Sequence, residues 1–226
     1  SIRRQFYAHD GYRTHAARNN TMTKSTKPDS SPASPPAILQ AQSPALYRQV
    51  IGLRGRHYGA LFPSIRDAGA ADPNDFGALV WVTLDQQGHV NSTARLVADG
   101  DAGLPSEAYV GPWLAPLRDQ GLRIVEFGRF IIDSTDQPTQ LSRRYYGHVW
   151  AEAYRTGIDT VVMVARQSKV TLYGHCFGAQ QLCADIGEDF GSGSAFSIFA
   201  WNIHNTASTF FSWAGLAGSQ STETTS

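Results

Sequence analysis

The chain has 226 residues, 42% of them hydrophobic, and 19 lysines and arginines balance 19 aspartates and glutamates. This length suits one domain with a sizeable core, and zero net charge argues against a general nucleic-acid binder. No stretch is apolar for long enough to predict a membrane span. Two cysteines, Cys176 and Cys183, exclude a disulfide-stapled module and predict reduced thiols in a cytoplasmic protein.

Polar segments flank the predicted domain. Residues 1–43 are rich in Ser, Thr and Pro toward their end, and residues 218–226 form a polar tail. Both are expected to be flexible, because they hold too few apolar side chains to offset the entropy of ordering. The predicted folded domain therefore spans residues 44–217.

The hydrophobic pattern predicts helices and strands in mixed order. Four helices are predicted, over residues 45–60, 106–120, 142–156 and 168–177. Six strands are predicted, over residues 77–84, 89–97, 122–132, 160–165, 195–203 and 209–213. This order favours an α/β (α+β) domain over a strict βαβ repeat or an all-β sandwich.

Several common motifs are absent from the sequence. It has no Gly-rich phosphate loop, no dinucleotide fingerprint and no Gly-x-Ser-x-Gly nucleophile motif. His175, Cys176 and Cys183 have no second ligand pair beside them, so buried thiols are favoured over a zinc site. No metal and no bound cofactor are predicted.

Four short stretches follow one another in chain order. They are LRGRHY at 53–58, DPND at 72–75, ARLV at 94–97 and EFGRF at 126–130. The set resembles the autoinducer synthases, which make N-acyl homoserine lactones, and the related N-acyl amino acid synthases. Both belong to the GNAT superfamily of acyltransferases.

The resemblance implies a fold and a set of site residues. The fold is a three-layer αβα domain whose twisted, mostly antiparallel sheet is split at its middle strands. The matching charged positions are Arg54, Asp72, Asp75, Arg95, Glu126 and Arg129. Gly128 stands where the autoinducer synthases have Ser in their Glu-x-Ser-Arg-Phe motif.

The resemblance also implies the reaction. The loop after Arg95 contains Gly-Leu-Pro at 103–105, which is more similar to the N-acyl amino acid synthases. We therefore expect transfer of a fatty acyl group to the amine of an amino-acid-like acceptor. Three alternatives stay open: a lactone synthase that uses S-adenosylmethionine and makes a quorum-sensing signal, an acyl-CoA-dependent N-acetyltransferase, and an inactive GNAT-fold binding module.

The segment after the central strand bears on the acyl donor. Acetyl-CoA enzymes of this superfamily present a Gly-rich pyrophosphate loop there, and residues 136–147 lack it. An acyl-carrier-protein thioester has no adenosine pyrophosphate, so it is the expected donor, with acyl-CoA as the alternative. Arg143 and Arg144 are candidate contacts for an acidic carrier protein; the alternative is a solvated helix start.

Glu126 is the candidate catalytic base. Its neighbours Val125, Phe127 and Phe130 are apolar and are expected to raise the pKa of its carboxyl group. The alternative is a carboxylate paired with Arg129 or Arg95. Strand alternation places positions 126 and 129 on opposite faces, so a bulge at Gly128 is needed to bring them together. Backbone N–H groups freed there are the expected oxyanion donors.

The other site residues are assigned through the resemblance. Arg54, Asp72, Asp75, Arg95 and Arg129 are expected to bind the ammonium and carboxylate of the acceptor. A structural ion-pair network is the alternative.

Aromatic side chains late in the chain are candidates for an acyl pocket. Phe130, Phe199 and Trp201 are the predicted pocket residues, and the alternative is that they are ordinary core.

Overall fold

Seven strands and four α-helices make up the computed structural model, which describes residues 36–62, 71–133, 135 and 137–216. The strands are β1 (Leu39–Gln40), β2 (Leu79–Leu84), β3 (Val90–Ala98), β4 (Ile124–Ile132), β5 (Thr160–Arg166), β6 (Gln180–Cys183) and β7 (Phe196–Asn202). The helices are α1 (Pro44–Leu61), α2 (Glu107–Asp119), α3 (Pro138–Thr156) and α4 (Ser208–Ala214). Short 3₁₀ turns cover Pro73–Asp75 and Gln167–Lys169, and Leu172–Phe177 form a π-helical turn.

The strands form one sheet in the order β1-β2-β3-β4-β5-β7-β6. Neighbours are antiparallel except β4 and β5, which run parallel. That parallel pairing covers only Ile124–Glu126 against Thr160–Val162, so the later part of β4 has no partner on β5. The predicted GNAT-like sheet, mostly antiparallel and split at its centre, is confirmed.

Helices pack on both faces of the sheet. Alternate strand residues such as Phe127 and Phe199 join α3, α4 and the π-helical turn in the largest core cluster. The opposite face forms two smaller clusters, one under α1 with Val82 and Ile131 and one under α2 with Ile198. The candidate site lies on this second face.

Local signals explain where the long helices begin and end. Ser43 caps α1 by accepting a 3.2 Å hydrogen bond from the N–H of Leu46. Pro138 begins α3, at a position where its missing N–H is not needed. Gly157 ends α3 in the left-handed conformation, with φ of 69°.

Two sequence predictions were wrong in type or extent. Residues 209–213 lie in helix α4, not in a strand, because a short aromatic run has no period that distinguishes the two. Helix α3 begins at Pro138, four residues before its predicted start. The predicted short helix over 168–177 is present, as a 3₁₀ turn followed by a π-helical turn.

Two short strands were not predicted. Strand β1 pairs with β2 and lies inside residues 1–43, which were assigned to the flexible segment. Strand β6 pairs with β7 at the other edge. Residues 1–35 and 217–226 are outside the described residues, so the predicted domain limits remain predictions. Within the described residues, no helix is long and apolar enough to cross a membrane.

Candidate active site

A bulge in β4 sets the geometry of the site. Arg95 pairs with Gly128 and Thr93 pairs with Ile131, so three steps along β4 match two along β3. Arg129, inside the bulge, has a left-handed backbone with φ of 51°. The predicted bulge is therefore present but is centred one residue later than Gly128. It turns Arg129 toward the face that carries Arg95 and helix α1.

Five charged side chains from four elements meet beside this bulge. Arg54 of α1 donates to Asp75 (2.5 Å), and Arg95 of β3 bridges Asp72 (2.6 Å) and Asp75 (3.1 Å). Arg129 donates two hydrogen bonds to Asp72, of 3.0 and 3.2 Å. The structure thus brings together all five residues that the resemblance assigned to acceptor binding.

Burial separates the roles of the three arginines. Arg54 and Arg95 are 2% and 3% exposed, whereas the side chain of Arg129 is 27% exposed. Within the described residues, Nε and Nη2 of Arg54 and Nε of Arg95 have no hydrogen-bond partner. The geometry favours the ion-pair alternative for Arg54 and Arg95 and leaves Arg129 as the arginine that a ligand can reach.

Neighbouring donors hold Asp72 as an anion. Burial opposes ionisation of Asp72, but Arg95, the N–H of Asn74 and Arg129 outweigh it and hold the pKa of Asp72 well below its usual range. Asp75 also accepts a 2.6 Å hydrogen bond from the hydroxyl of Tyr47. Burial and this bond to Asp75 raise the pKa of Tyr47 to about 12.

Glu126 lies on the same face, next to the point where β4 and β5 separate. It is 7% exposed, and its Oε2 accepts hydrogen bonds from the hydroxyl of Ser106 (2.6 Å) and from the N–H of Ser106 (3.0 Å). Burial raises the pKa of Glu126, while Ser106, Arg95 and Arg129 act against that rise. Within the described residues its hydrogen-bond partner is Ser106, rather than the predicted alternatives Arg129 or Arg95.

A group of aromatic rings lies beside Arg129. The guanidinium of Arg129 lies 5.0 Å from the ring centre of Tyr58, which stacks on Phe62 at 5.5 Å. Phe190 contacts both Phe62 and Tyr109 edge-on. Phe190 has φ of 54°, and it and Arg129 are the non-glycine residues with positive φ in the described part of the chain. Such strain is often concentrated at functional sites.

The other predicted site residues lie elsewhere. Arg143 and Arg144 are on α3, where Arg143 stands 5.7 Å from the ring centre of Trp213 and Arg144 donates to the carbonyl of Pro36 (2.7 Å). An open depression at the start of α3 is lined by Gln137, Pro138, Thr139, Gln140 and Arg143.

The predicted acyl-pocket residues lie on the α3 face. Phe199 and Trp201 are fully buried in the largest core cluster, and Phe130 packs against that cluster while remaining partly exposed. Their assignment to a pocket stays a prediction. In the described part of the chain, no group of three or more His, Cys, Asp or Glu side chains is placed to hold a metal ion.

The predicted site residues did not include Ser106, Tyr47 and Phe190. Ser106 was placed at the start of a helix, where serine usually serves as a cap, so its contact with a strand 20 residues later had no local signal. Phe190 lies in a Gly- and Ser-rich loop that no periodic pattern marks.

Comparisons with solved structures show the same fold in several enzymes. The structure of FeeM, an N-acyl amino acid synthase from uncultured soil microbes, is 18% identical, with 83% of this chain and 98% of that chain covered and a TM-score of 0.63. The homoserine lactone synthase LasI is 13% identical, with 80% and 96% covered and a TM-score of 0.59. A putative N-acetyltransferase from Lactobacillus plantarum is 16% identical, with 74% and 97% covered and a TM-score of 0.54.

These similarities show that the chain has the GNAT fold. The family model for the N-acyl amino acid synthase FeeM matches residues 61–188, which is more than half of the chain. The chain therefore belongs to the FeeM family of N-acyl amino acid synthases. None of the curated protein sequences compared with the chain matches it.

Proposed function

We propose that this protein transfers a fatty acyl group from an acyl-carrier-protein thioester to the amine of an amino-acid-like acceptor. The observation that supports it most is the placement of Glu126. Its carboxylate is buried, anchored on one oxygen, and next to the point where β4 leaves β5. A general base is needed at such a place, because only the neutral form of the acceptor amine attacks a thioester.

The proposed first step is removal of a proton from the acceptor ammonium. Because burial raises the pKa of Glu126, its carboxylate is a stronger base than an exposed glutamate. Arg95 and Arg129 favour the ionised form, so the carboxylate is available to accept the proton, directly or through one water. The neutral amine then has a free electron pair.

The amine attacks the thioester carbonyl and forms a C–N bond. The carbonyl electrons move to oxygen, and β4 beyond Glu126 offers N–H groups that have no partner on β5 to stabilise that oxyanion. When the intermediate collapses, the C–S bond breaks and the carrier's thiolate leaves. The nitrogen, positively charged after the attack, loses a second proton, which the thiolate takes up, and Glu126 releases the first proton to solvent.

The acceptor is proposed to bind beside Arg129. This arginine is the most exposed of the three in the cluster, and Asp72 and the ring of Tyr58 fix its position. A guanidinium held in this way is suited to a carboxylate. Arg54, Arg95 and Asp75 then serve to hold Asp72 and Arg129 in place.

The carrier-protein donor is supported by the start of α3. A CoA pyrophosphate needs backbone N–H groups there, and Pro138 at the first helical position has none. The basic side chain of Arg143 lines the depression at this helix start and is the proposed contact for an acidic carrier. Because its donor is a carrier-protein thioester, the proposal places the enzyme in the cytoplasm.

Reactions with purified components test the donor and the acceptor separately. The protein is incubated with the same fatty acyl group on carrier protein or on CoA, together with the twenty amino acids or with S-adenosylmethionine. Mass spectrometry is expected to show an N-acyl amino acid formed faster from the carrier thioester. Product from S-adenosylmethionine alone would assign a lactone synthase, and faster transfer from CoA would overturn the proposed donor.

A further inference from the structure

Helix α2 begins at an unusual serine. Ser106 is the residue that precedes the first turn, where a serine hydroxyl normally accepts a hydrogen bond from an N–H of its own helix. No such capping bond is present here. The hydroxyl instead donates to Glu126 Oε2 at 2.6 Å, and the N–H of Ser106 donates to the same oxygen at 3.0 Å.

Contacts with helix α2 hold the loop that carries Ser106. Arg118 forms paired hydrogen bonds with Asp99 (2.7 and 2.8 Å) and with Glu107 (both 2.8 Å). Glu107 accepts a further bond from the N–H of Leu104 (3.0 Å). These contacts tie both ends of the loop to α2, so the position of Ser106 is set before any substrate arrives.

The two carboxylate oxygens of Glu126 therefore differ in their hydrogen bonds. Oε2 accepts both bonds from Ser106, whereas Oε1 accepts none from the residues that the structure describes. Oε1 points along β4 toward Gly128, where an added Cβ would lie 3.6 Å from it. The bare glycine backbone leaves room for a ligand atom or a water beside Oε1.

We infer that Ser106 is a positioning residue for acyl transfer: it holds Oε2 so that Oε1 faces the acceptor amine in an ionised state. This inference rests on the proposed role of Glu126 as the base. Two donors on Oε2 favour the carboxylate over the acid, and the anchoring removes rotation of the carboxyl group.

Three residues of the described chain favour the ionised form of Glu126. Arg95 on β3 and Arg129 on β4 are the charged groups that favour its ionised form, and Ser106 is the contribution of α2. The neighbouring residue on β5 is the apolar Val162. Loss of the Ser106 hydroxyl removes one of the effects that oppose burial, so the pKa of Glu126 should rise further.

The test compares Ser106→Ala with Ser106→Thr, which keeps the hydroxyl, and with Ser212→Ala, an exposed serine on α4. The acid limb of the kcat/KM profile is expected to move up by about one pH unit in Ser106→Ala, with KM for the acceptor nearly unchanged. Ser106→Thr and Ser212→Ala should keep the wild-type limb. An unchanged limb in Ser106→Ala, or an equal loss in Ser106→Thr, would overturn the inference.

A second readout does not depend on activity. The chain has five glutamates, so selective ¹³C labelling of glutamate carboxyl groups lets the Glu126 signal be identified by its absence in Glu126→Gln. Its titration should occur at higher pH in Ser106→Ala than in the wild type. If this shift is seen while Glu126→Gln keeps full activity, the role of Glu126 as base fails and the contact with Ser106 stands.

Folding is checked by circular dichroism on Ser106→Ala and Ser106→Gly, both of which keep the backbone N–H donor. Unfolding of both would overturn the inference, because the hydroxyl would then serve the fold rather than the carboxylate.

Discussion

Arg129 donates two hydrogen bonds to Asp72, although 57 residues separate them in the chain. The contact exists because the bulge in β4 gives Arg129 a left-handed backbone and turns its side chain to the α1 face. Strict alternation along β4 would direct it to the opposite face, among the aromatic rings under α3. The left-handed backbone of one residue thus places a cation where it favours the ionised form of Glu126.

The first prediction concerns this strain. Arg129→Ala and Arg129→Gly both lose the bonds to Asp72, but only glycine adopts φ of 51° without a Cβ penalty. Arg129→Gly should therefore be more stable than Arg129→Ala by about 1 kcal/mol. Urea unfolding measures the difference. Equal stability, or a more stable alanine variant, would show that the bulge does not hold this conformation in solution.

The second prediction concerns the buried ion pairs. Asp75→Asn removes the carboxylate that Arg54 contacts, leaves Arg95 with Asp72 and weakens the contact with Tyr47. The expected loss in free energy of unfolding is about 3 kcal/mol, because the remaining charges stay buried. Glu152→Gln, which breaks the exposed pair with Arg155, should lose less than about 0.5 kcal/mol. Similar losses in the two variants would argue against a desolvated network.

The third prediction concerns pH and stability. Burial raises the pKa of Glu126 above its ordinary value of 4.5 in the folded state. Above pH 4.5 the unfolded chain releases this proton more readily than the folded chain, so stability falls as pH rises through the folded pKa. Glu126→Gln has no such dependence and should gain stability relative to the wild type as the pH is raised from 4.5 toward 8. A constant difference in urea unfolding across this range would contradict the raised pKa.

The fourth prediction concerns the donor. Arg143→Glu reverses the charge at the depression before α3 and should raise KM for the acyl carrier protein about tenfold, an effect that weakens with added salt. KM for the acceptor should not change. Arg48→Glu, an exposed position on α1, is the matched control. An equal effect of the two variants would argue against a contact between Arg143 and the carrier protein.

Hydrophobic periodicity was sufficient to predict most of the helices and strands that form the core. Helix α1, the hairpin of β2 and β3, and strands β4, β5 and β7 follow from runs of apolar residues between turn residues. Strands β1 and β6 have two and four residues and depend on pairing with β2 and β7, so no local pattern marks them. Helix α4 was mistaken for a strand, although Gly215 just beyond it is a helix-ending signal.

The charged cluster was predicted only because four motifs matched a family. Composition and spacing alone do not indicate that Arg54, Asp75 and Arg95 meet, since the contacts join α1, a 3₁₀ turn and β3. The bulge was predicted at Gly128 because glycine tolerates such a backbone. In the structure the left-handed residue is Arg129, which tertiary contacts hold in that strained conformation. The contact between Ser106 and Glu126 could not be predicted from the sequence, because a helix start and a strand face each other only in the folded protein.

Glu126 is proposed to be the base for acyl transfer to an amine. The most direct measurement is mass spectrometry of lipid extracts from cells that express the wild type, Glu126→Gln or the exposed control Glu188→Gln. If Glu126 is the base, new N-acyl amino acids are expected in the wild type and in Glu188→Gln, and their amount should be at least a hundredfold lower in Glu126→Gln. Equal amounts of acylated product in the wild type and Glu126→Gln would contradict it.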